Sequence, residues 1–196
     1  DLPLANTIRQ SIGDRVQTHS HNVMVGCTHT HNGPCTSRGN LGGPHHAAPR
    51  PGEIEALDKY IDDLIVRLAK LAGDADNRRR PARSVTGRGR ATVSINREEL
   101  ADDGRVLVGR NPDGPTDQTV DVVRIDDLEG LPIAVLTGYA AHPVVMGMND
   151  LLISPDFPGV VRRTVEKVTG ATCLYMTGAA GNQATISFLQ DDWGEQ

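Results

Sequence analysis

Three of the seven histidines in this sequence are placed where side chains can converge on a metal ion. His29 and His31 lie two positions apart in Thr28-His29-Thr30-His31-Asn32-Gly33-Pro34, directly after the β-rich run Val23-Met24-Val25-Gly26-Cys27. This pattern reads as a buried strand ending in a turn, and the two-residue period of a strand would put both imidazoles on one face, within reach of one ion. Imidazole nitrogen suits zinc, and two histidines merely hydrogen-bonded at a strand end would leave the same trace. His142 follows a further strand-like run, Ile133 to Ala140, and precedes Pro143, which would halt that strand. Strand ends can meet at one edge of a sheet, and three histidines from different segments would then fit a catalytic zinc site.

The other reactive side chains carry less. His19 and His21 follow the first helix, and His45 and His46 stand in a Gly/Pro loop; all four read as surface residues. Cys27, Cys35 and Cys173 are too few for a disulfide scaffold, and their odd number leaves one unpaired, with a Cys27–Cys35 bridge open. Cys27, beside the histidine pair, reads as a small buried hydrophobe. Gly178-Ala179-Ala180-Gly181 has no following Lys and fits neither the P-loop nor the dinucleotide spacing, so a tight turn after a strand is expected. The arginines at 78, 79, 80, 83, 88 and 90 come without aromatic partners in a chain of net charge -5, which points to a solvated connection and away from nucleic acid.

The elements that must position these groups follow from periodicity. Leu4, Ile8, Ile12 and Val16 recur every four residues, the stripe of a short amphipathic helix. From Glu53 to Leu71 the apolar residues fall at helical spacing with acids between them, and Gly73 stands just beyond as an expected stop. Alternation predicts strands at Ala91 to Ile95, Val120 to Ile125 and Ile133 to Tyr139, with a hairpin turn at Asp127-Leu128-Glu129-Gly130. A helix over Val160 to Val168, opened by Pro155 to Pro158, leads to a buried strand at Ala171 to Met176. Gly, Pro, Ser, Asn and His between Cys35 and Pro51, with Gly42-Gly43-Pro44-His45-His46 at their centre, predict a long loop. The expected class is α/β with a mixed β-sheet flanked by helices, because a hairpin within a helix–strand alternation brings antiparallel pairing into a parallel sheet.

Composition bounds the rest. A chain of 196 residues, 38% hydrophobic and 23% charged, is globular and of a size for one compact unit or one large piece of a bigger one. With 3% aromatics, the core must rely on Val, Leu, Ile, Ala and Met. The most apolar stretch, Leu131 to Met148, is broken by Pro132, His142 and Pro143, so no transmembrane span is expected; membrane-surface contact stays open. The first residue is Asp1 with no leader pattern, which reads as a processed chain or a fragment and leaves compartment and oligomeric state unassigned.

Taken together in order, four blocks carry a resemblance. The segment Asn22 to Pro34 resembles the Thr-His-Thr-His-Ser-Gly-Pro signature of the neutral/alkaline non-lysosomal ceramidase family, zinc-dependent amidases. Val108-Gly109-Arg110-Asn111-Pro112-Asp113-Gly114-Pro115 resembles that family's Asn-Arg-Ser-Pro region, Tyr139-Ala140-Ala141-His142-Pro143 its His-Pro block, and Gly178 to Asn182 its Gly-rich turn.

The resemblance implies that residues 1–196 are the incomplete N-terminal part of a larger catalytic domain, whose later ligand-bearing part and C-terminal sandwich domain lie beyond them. It implies Zn2+ as cofactor, His29 and His142 as ligands, His31 beside the metal where it binds or polarises substrate or water, and Arg110 on the developing oxyanion. A structural salt bridge is the other reading of Arg110. The implied reaction is hydrolysis of ceramide or a related N-acyl lipid to fatty acid and sphingoid base. Two departures stand against this pattern. Ala184 occupies the place of an active-site serine, and the family's glutamate and tyrosine ligands have no counterpart among these residues. A non-catalytic domain that keeps the fold, or a hydrolase of another amide or ester, is the alternative.

Overall fold

The computed structural model describes residues 2–41, 48–146 and 152–188. They form two compact units, Asp1–Gly26 with Pro34–Arg80, and Cys27–Gly33 with Pro81–Gln196.

The first unit is helical. Helix α1 (Leu2–Val16) buries Ile8 from the predicted stripe, and helix α2 (Glu53–Asp76) buries Leu57. Acids in the first turn of α2, Glu53 and Glu55, complement the positive end of its dipole. The expected stop at Gly73 is not where α2 ends: the helix runs on to Asp76, and Gly73 is buried inside it. A Cβ at Gly73 would come within 2.6 Å of Nε of Arg15 on α1, so the glycine serves close helix approach rather than termination. His19 and His21 stack with ring centroids 5.1 Å apart, while His45, His46 and the centre of the predicted loop lie outside the described residues.

The second unit holds strands β1 (Ala82–Arg90), β2 (Ser94–Leu100), β3 (Val106–Asn111), β4 (Thr119–Asp127) and β5 (Pro132–Tyr139), helix α3 (Asp156–Thr169), and strands β6 (Thr172–Thr177) and β7 (Gln183–Thr185). One sheet has the order β1-β4-β5-β6 and the other β3-β2-β7. β4 pairs antiparallel with β5 across the predicted turn, where Asp127 Oδ1 accepts from the amides of Glu129 and Leu131. β5 pairs in parallel with β6 after the α3 crossover, so the first sheet is mixed, as the hairpin required.

The core follows from alternation. Val135, Thr137 and Tyr139 of β5 and Cys173 and Tyr175 of β6 are buried, whereas Leu174 and Met176 face out. Tyr139, Ala141 and Tyr175 form a cluster against Ala91, Val120, Phe157 and Val161, and burying each large side chain contributes about 1.5–3 kcal/mol. Both phenols are satisfied: Tyr139 donates to Ala91 O (3.0 Å) or Ser94 Oγ (2.9 Å), and Tyr175 donates to Tyr139 O (3.1 Å). Burial pushes the Tyr175 phenol far above its ordinary pKa. Gln183 is fully buried; its Oε1 accepts from Asp117 N at 2.8 Å, and its Nε2 donates to Asp117 O and Ala140 O, tying the ends of both sheets together.

Three further expectations are corrected. Val23 to Cys27 is not a buried strand: it has no ladder partner among the described residues, and Cys27 is exposed. Ala91 to Val93 lie outside a strand, which begins at Ser94. Half of the arginine run, read as a solvated connection, is the edge strand β1, paired along its length with β4. All nine of its residues are exposed, so no apolar alternation betrayed it. All three cysteines are free, so the Cys27–Cys35 bridge that the sequence left open is not formed.

Candidate metal centre

The chain after Tyr139 leaves the first sheet through Ala140 and Ala141, both buried, and reaches His142. His142 makes an isolated parallel bridge with Ala184 of β7, its amide donating to Gln183 O at 2.9 Å. The residue therefore sits where one sheet hands over to the other. The segment Cys27–Gly33 is held there without a ladder. Thr177 Oγ1 donates to Thr28 O (2.7 Å), Thr30 Oγ1 donates to Ser154 O (2.8 Å), Ser154 N donates to Asn32 O (2.9 Å), and His31 N donates to Pro143 O (3.4 Å). His29 has φ +64°, a left-handed conformation that costs a non-glycine residue about 1–2 kcal/mol. Such strain persists where surrounding contacts impose it, and it concentrates at functional sites.

Those contacts gather three rings. The centroids of His29 and His142 are 4.4 Å apart, of His31 and His142 5.0 Å, and of His29 and His31 5.3 Å. One ring nitrogen from each lies within 4.8 Å of the others, which makes the trio a set able to hold a metal ion. His142 is buried and the other two are exposed, so the group opens to solvent on one side.

The chemistry of the donors fits a metal. Nδ1 of His142 is 2.8 Å from the carbonyl oxygen of Ala180. A carbonyl only accepts, so Nδ1 carries the proton and Nε2 keeps its lone pair for a ligand, as outer-shell partners of metal-bound histidines arrange. His142 is held below the ordinary imidazole pKa first by desolvation and then by the charges of Arg97, His29 and His31, against the raising effect of the Ala180 bond. His31 is also lowered, by desolvation, His29 and Arg97, with Asp156 acting in the opposite sense. Both rings are therefore biased towards the neutral, metal-binding form.

Two arginines occupy different places. Arg97, which the sequence reading missed, is the guanidinium whose charge His31 and His142 experience. It stands at a register shift between Asn96 and Glu98 in the β2–β3 pairing, and irregularities of this kind re-aim a side chain next to a site. Its Nε donates to Gly181 O at 2.9 Å and its amide to Asn182 O at 2.8 Å, on the same turn whose Ala180 carbonyl holds His142. No motif marks an arginine in so polar a strand. Arg110, at the end of β3, has its amide on Glu99 Oε2, and its Nη1 donates to Ile186 O (2.7 Å) and to Phe188 O. Ala184, at the serine position of the resembled family, is fully buried in β7.

No family model matches the sequence. Two curated proteins of Dictyostelium discoideum are similar to it: neutral ceramidase A, 28% identical over 180 residues, or 90% of this chain and 24% of that protein, and neutral ceramidase B, 27% identical over 168 residues, or 85% and 22%. Among solved structures, the neutral ceramidase from Pseudomonas aeruginosa superposes with a TM-score of 0.62 at 21% identity, covering 96% of this chain and 31% of that one. A ceramidase complexed with C2 gives 0.61 at 22% identity, covering 92% and 29%. The chain spans about a quarter of the length of these curated relatives; it is similar to neutral ceramidases in sequence and shares the fold of the matching part of their solved structures.

Proposed function

We propose that the whole protein is a zinc-dependent hydrolase that cleaves the linear amide bond of ceramide or a related N-acyl lipid, releasing a fatty acid and a sphingoid base. The carrying observation is the convergence of His29 and His31, from one segment, with His142, from another, in a chain similar to neutral ceramidases. In this reading residues 1–196 form part of a catalytic domain, with His29 and His142 as zinc ligands.

Zinc, when bound, polarises a carbonyl and lowers the pKa of bound water to about 7. The remaining work falls to side chains. His142 is held in the tautomer that offers Nε2, its Nδ1 proton engaged by Ala180. His31, biased towards neutrality, accepts a hydrogen bond from the attacking water or donates one to the substrate carbonyl. Arg110 is proposed to stabilise negative charge on the amide oxygen, exchanging its contacts with Ile186 O and Phe188 O for the substrate. Hydrolysis adds hydroxide to the acyl carbon and a proton to the departing amine.

Ala184 favours a second reading. A buried methyl where relatives of this type are expected to carry a serine fits a domain that keeps the fold without ceramide chemistry, or a hydrolase of another amide or ester. Zinc stoichiometry by metal analysis, with hydrolysis of a fluorogenic ceramide and of simple amide and ester substrates by the whole protein, separates the readings. Tight zinc with ceramide turnover supports the first. Zinc with turnover confined to the other substrates supports the second, and the absence of both zinc and turnover leaves a non-catalytic domain.

A further inference from the structure

We propose that Asp156 is a positioning residue of the three-histidine centre, holding the segments that carry His31 and His142 against one another through the N-terminal end of α3. The inference rests on the metal reading above.

The observations are geometric. Asp156 is buried, opens α3, and has φ +54°, a left-handed backbone imposed on a non-glycine residue. Its two carboxylate oxygens are divided between neighbours: Oδ1 accepts from Phe157 N at 2.6 Å, and Oδ2 accepts from Met146 N at 3.1 Å. The second bond anchors the chain four residues beyond His142. Asp156 N donates to Ser154 Oγ at 3.0 Å, and Ser154 is the residue whose carbonyl and amide engage Thr30 and Asn32 on either side of His31. His31 N in turn donates to Pro143 O. The loop Ser154 to Asp156 therefore closes a ring of hydrogen bonds around the two segments, with its buried carboxylate at the joint.

A buried carboxylate needs compensation, and here two backbone amides supply hydrogen bonds to it. A bound divalent cation would add to that compensation, so Asp156 favours the metal-loaded state without ligating it. Outer-shell partners of this kind change metal affinity by about 10–100-fold.

The test is Zn2+ titration of the whole protein against a chromophoric chelator, with the visible spectrum of the Co2+-loaded protein as a second readout, for the unsubstituted protein, Asp156→Asn and Thr169→Ala. Asparagine tolerates left-handed backbone and can still accept one of the two bonds, so the fold should persist, as far-ultraviolet circular dichroism would show. Thr169 closes the far end of α3, its hydroxyl donating to Val165 O and accepting from Ala171 N, and its loss weakens the helix without touching the histidines. The expected result is a 10–100-fold weaker Zn2+ affinity and an altered Co2+ band for Asp156→Asn, with affinity preserved in Thr169→Ala. Unchanged affinity in Asp156→Asn, or equal losses in both variants, would overturn the positioning role. Absence of Zn2+ binding by the unsubstituted whole protein would overturn the metal reading and this inference with it.

Discussion

Nδ1 of His142 lies 2.8 Å from the carbonyl oxygen of Ala180, and that contact fixes which nitrogen of the ring is free. Nitrogen-15 shifts of the His142 ring should show a protonated Nδ1 and an unprotonated Nε2 near neutral pH, with Nε2 shifting on addition of Zn2+. His142→Asn keeps a donor near the Ala180 carbonyl and removes Nε2. It should weaken zinc by more than about 100-fold, beyond what loss of an outer-shell partner does.

Arg97 and Arg110 should separate in a histidine titration. The positive charge of Arg97 helps hold His31 and His142 below the ordinary imidazole pKa, whereas Arg110 contributes to neither. Arg97→Gln should raise both midpoints in an NMR titration and Arg110→Gln should leave them where they are. In the whole protein, Arg110→Ala should reduce turnover far more than zinc content; equal loss of both would give Arg110 a structural role.

The metal-free chain should lose stability in mild acid. His31 and His142 have folded-state pKa values lowered from 6.5, mainly by desolvation. Between those values and 6.5 the unfolded chain binds more protons, so stability falls as pH drops through this window and levels off below it. Urea midpoints at pH 7.5, 6.0 and 5.0 would show the decline, and replacing both histidines by Gln should flatten it.

Gln183 should be costly to truncate. Gln183→Ala leaves Asp117 N, Asp117 O and Ala140 O without their side-chain partner in a fully buried position, a loss of about 2–4 kcal/mol. Urea denaturation is the measurement, with a lowered midpoint at constant slope as the expected outcome.

The 196-residue chain by itself should bind zinc more weakly than a full-length relative and should not turn over an N-acyl amide. It brings together three imidazoles, and the family resemblance implies glutamate and tyrosine ligands that these residues do not include. Metal analysis beside a fluorogenic assay checks this, and a tight stoichiometric zinc with turnover would show that His29, His31 and His142 suffice.

Local pattern determined much of this protein. The four-residue stripe from Leu4 to Val16 and the apolar spacing from Ile54 to Leu71 mark α1 and α2, because one helix face must be buried whatever it packs on. Alternation in Val120 to Ile125 and Ile133 to Tyr139, with a turn between, was sufficient for the β4–β5 hairpin and hence for a mixed sheet. The histidines were legible as types and spacings: His29 and His31 in one short block, His142 before a proline. Their meeting was not, since it depends on the register that bridges His142 to Ala184 and on hydrogen bonds from Thr177 and Ser154, residues over a hundred positions from His31. The expected strand before His29 gave way to a segment tied by side chains, with His29 itself in left-handed backbone. β1 escaped notice because a strand exposed on both faces has no hydrophobic face to reveal, and Arg97 because a register shift aims it. Tertiary structure decided these points, because burial leaves a periodic mark along a chain, whereas contacts between distant segments leave none.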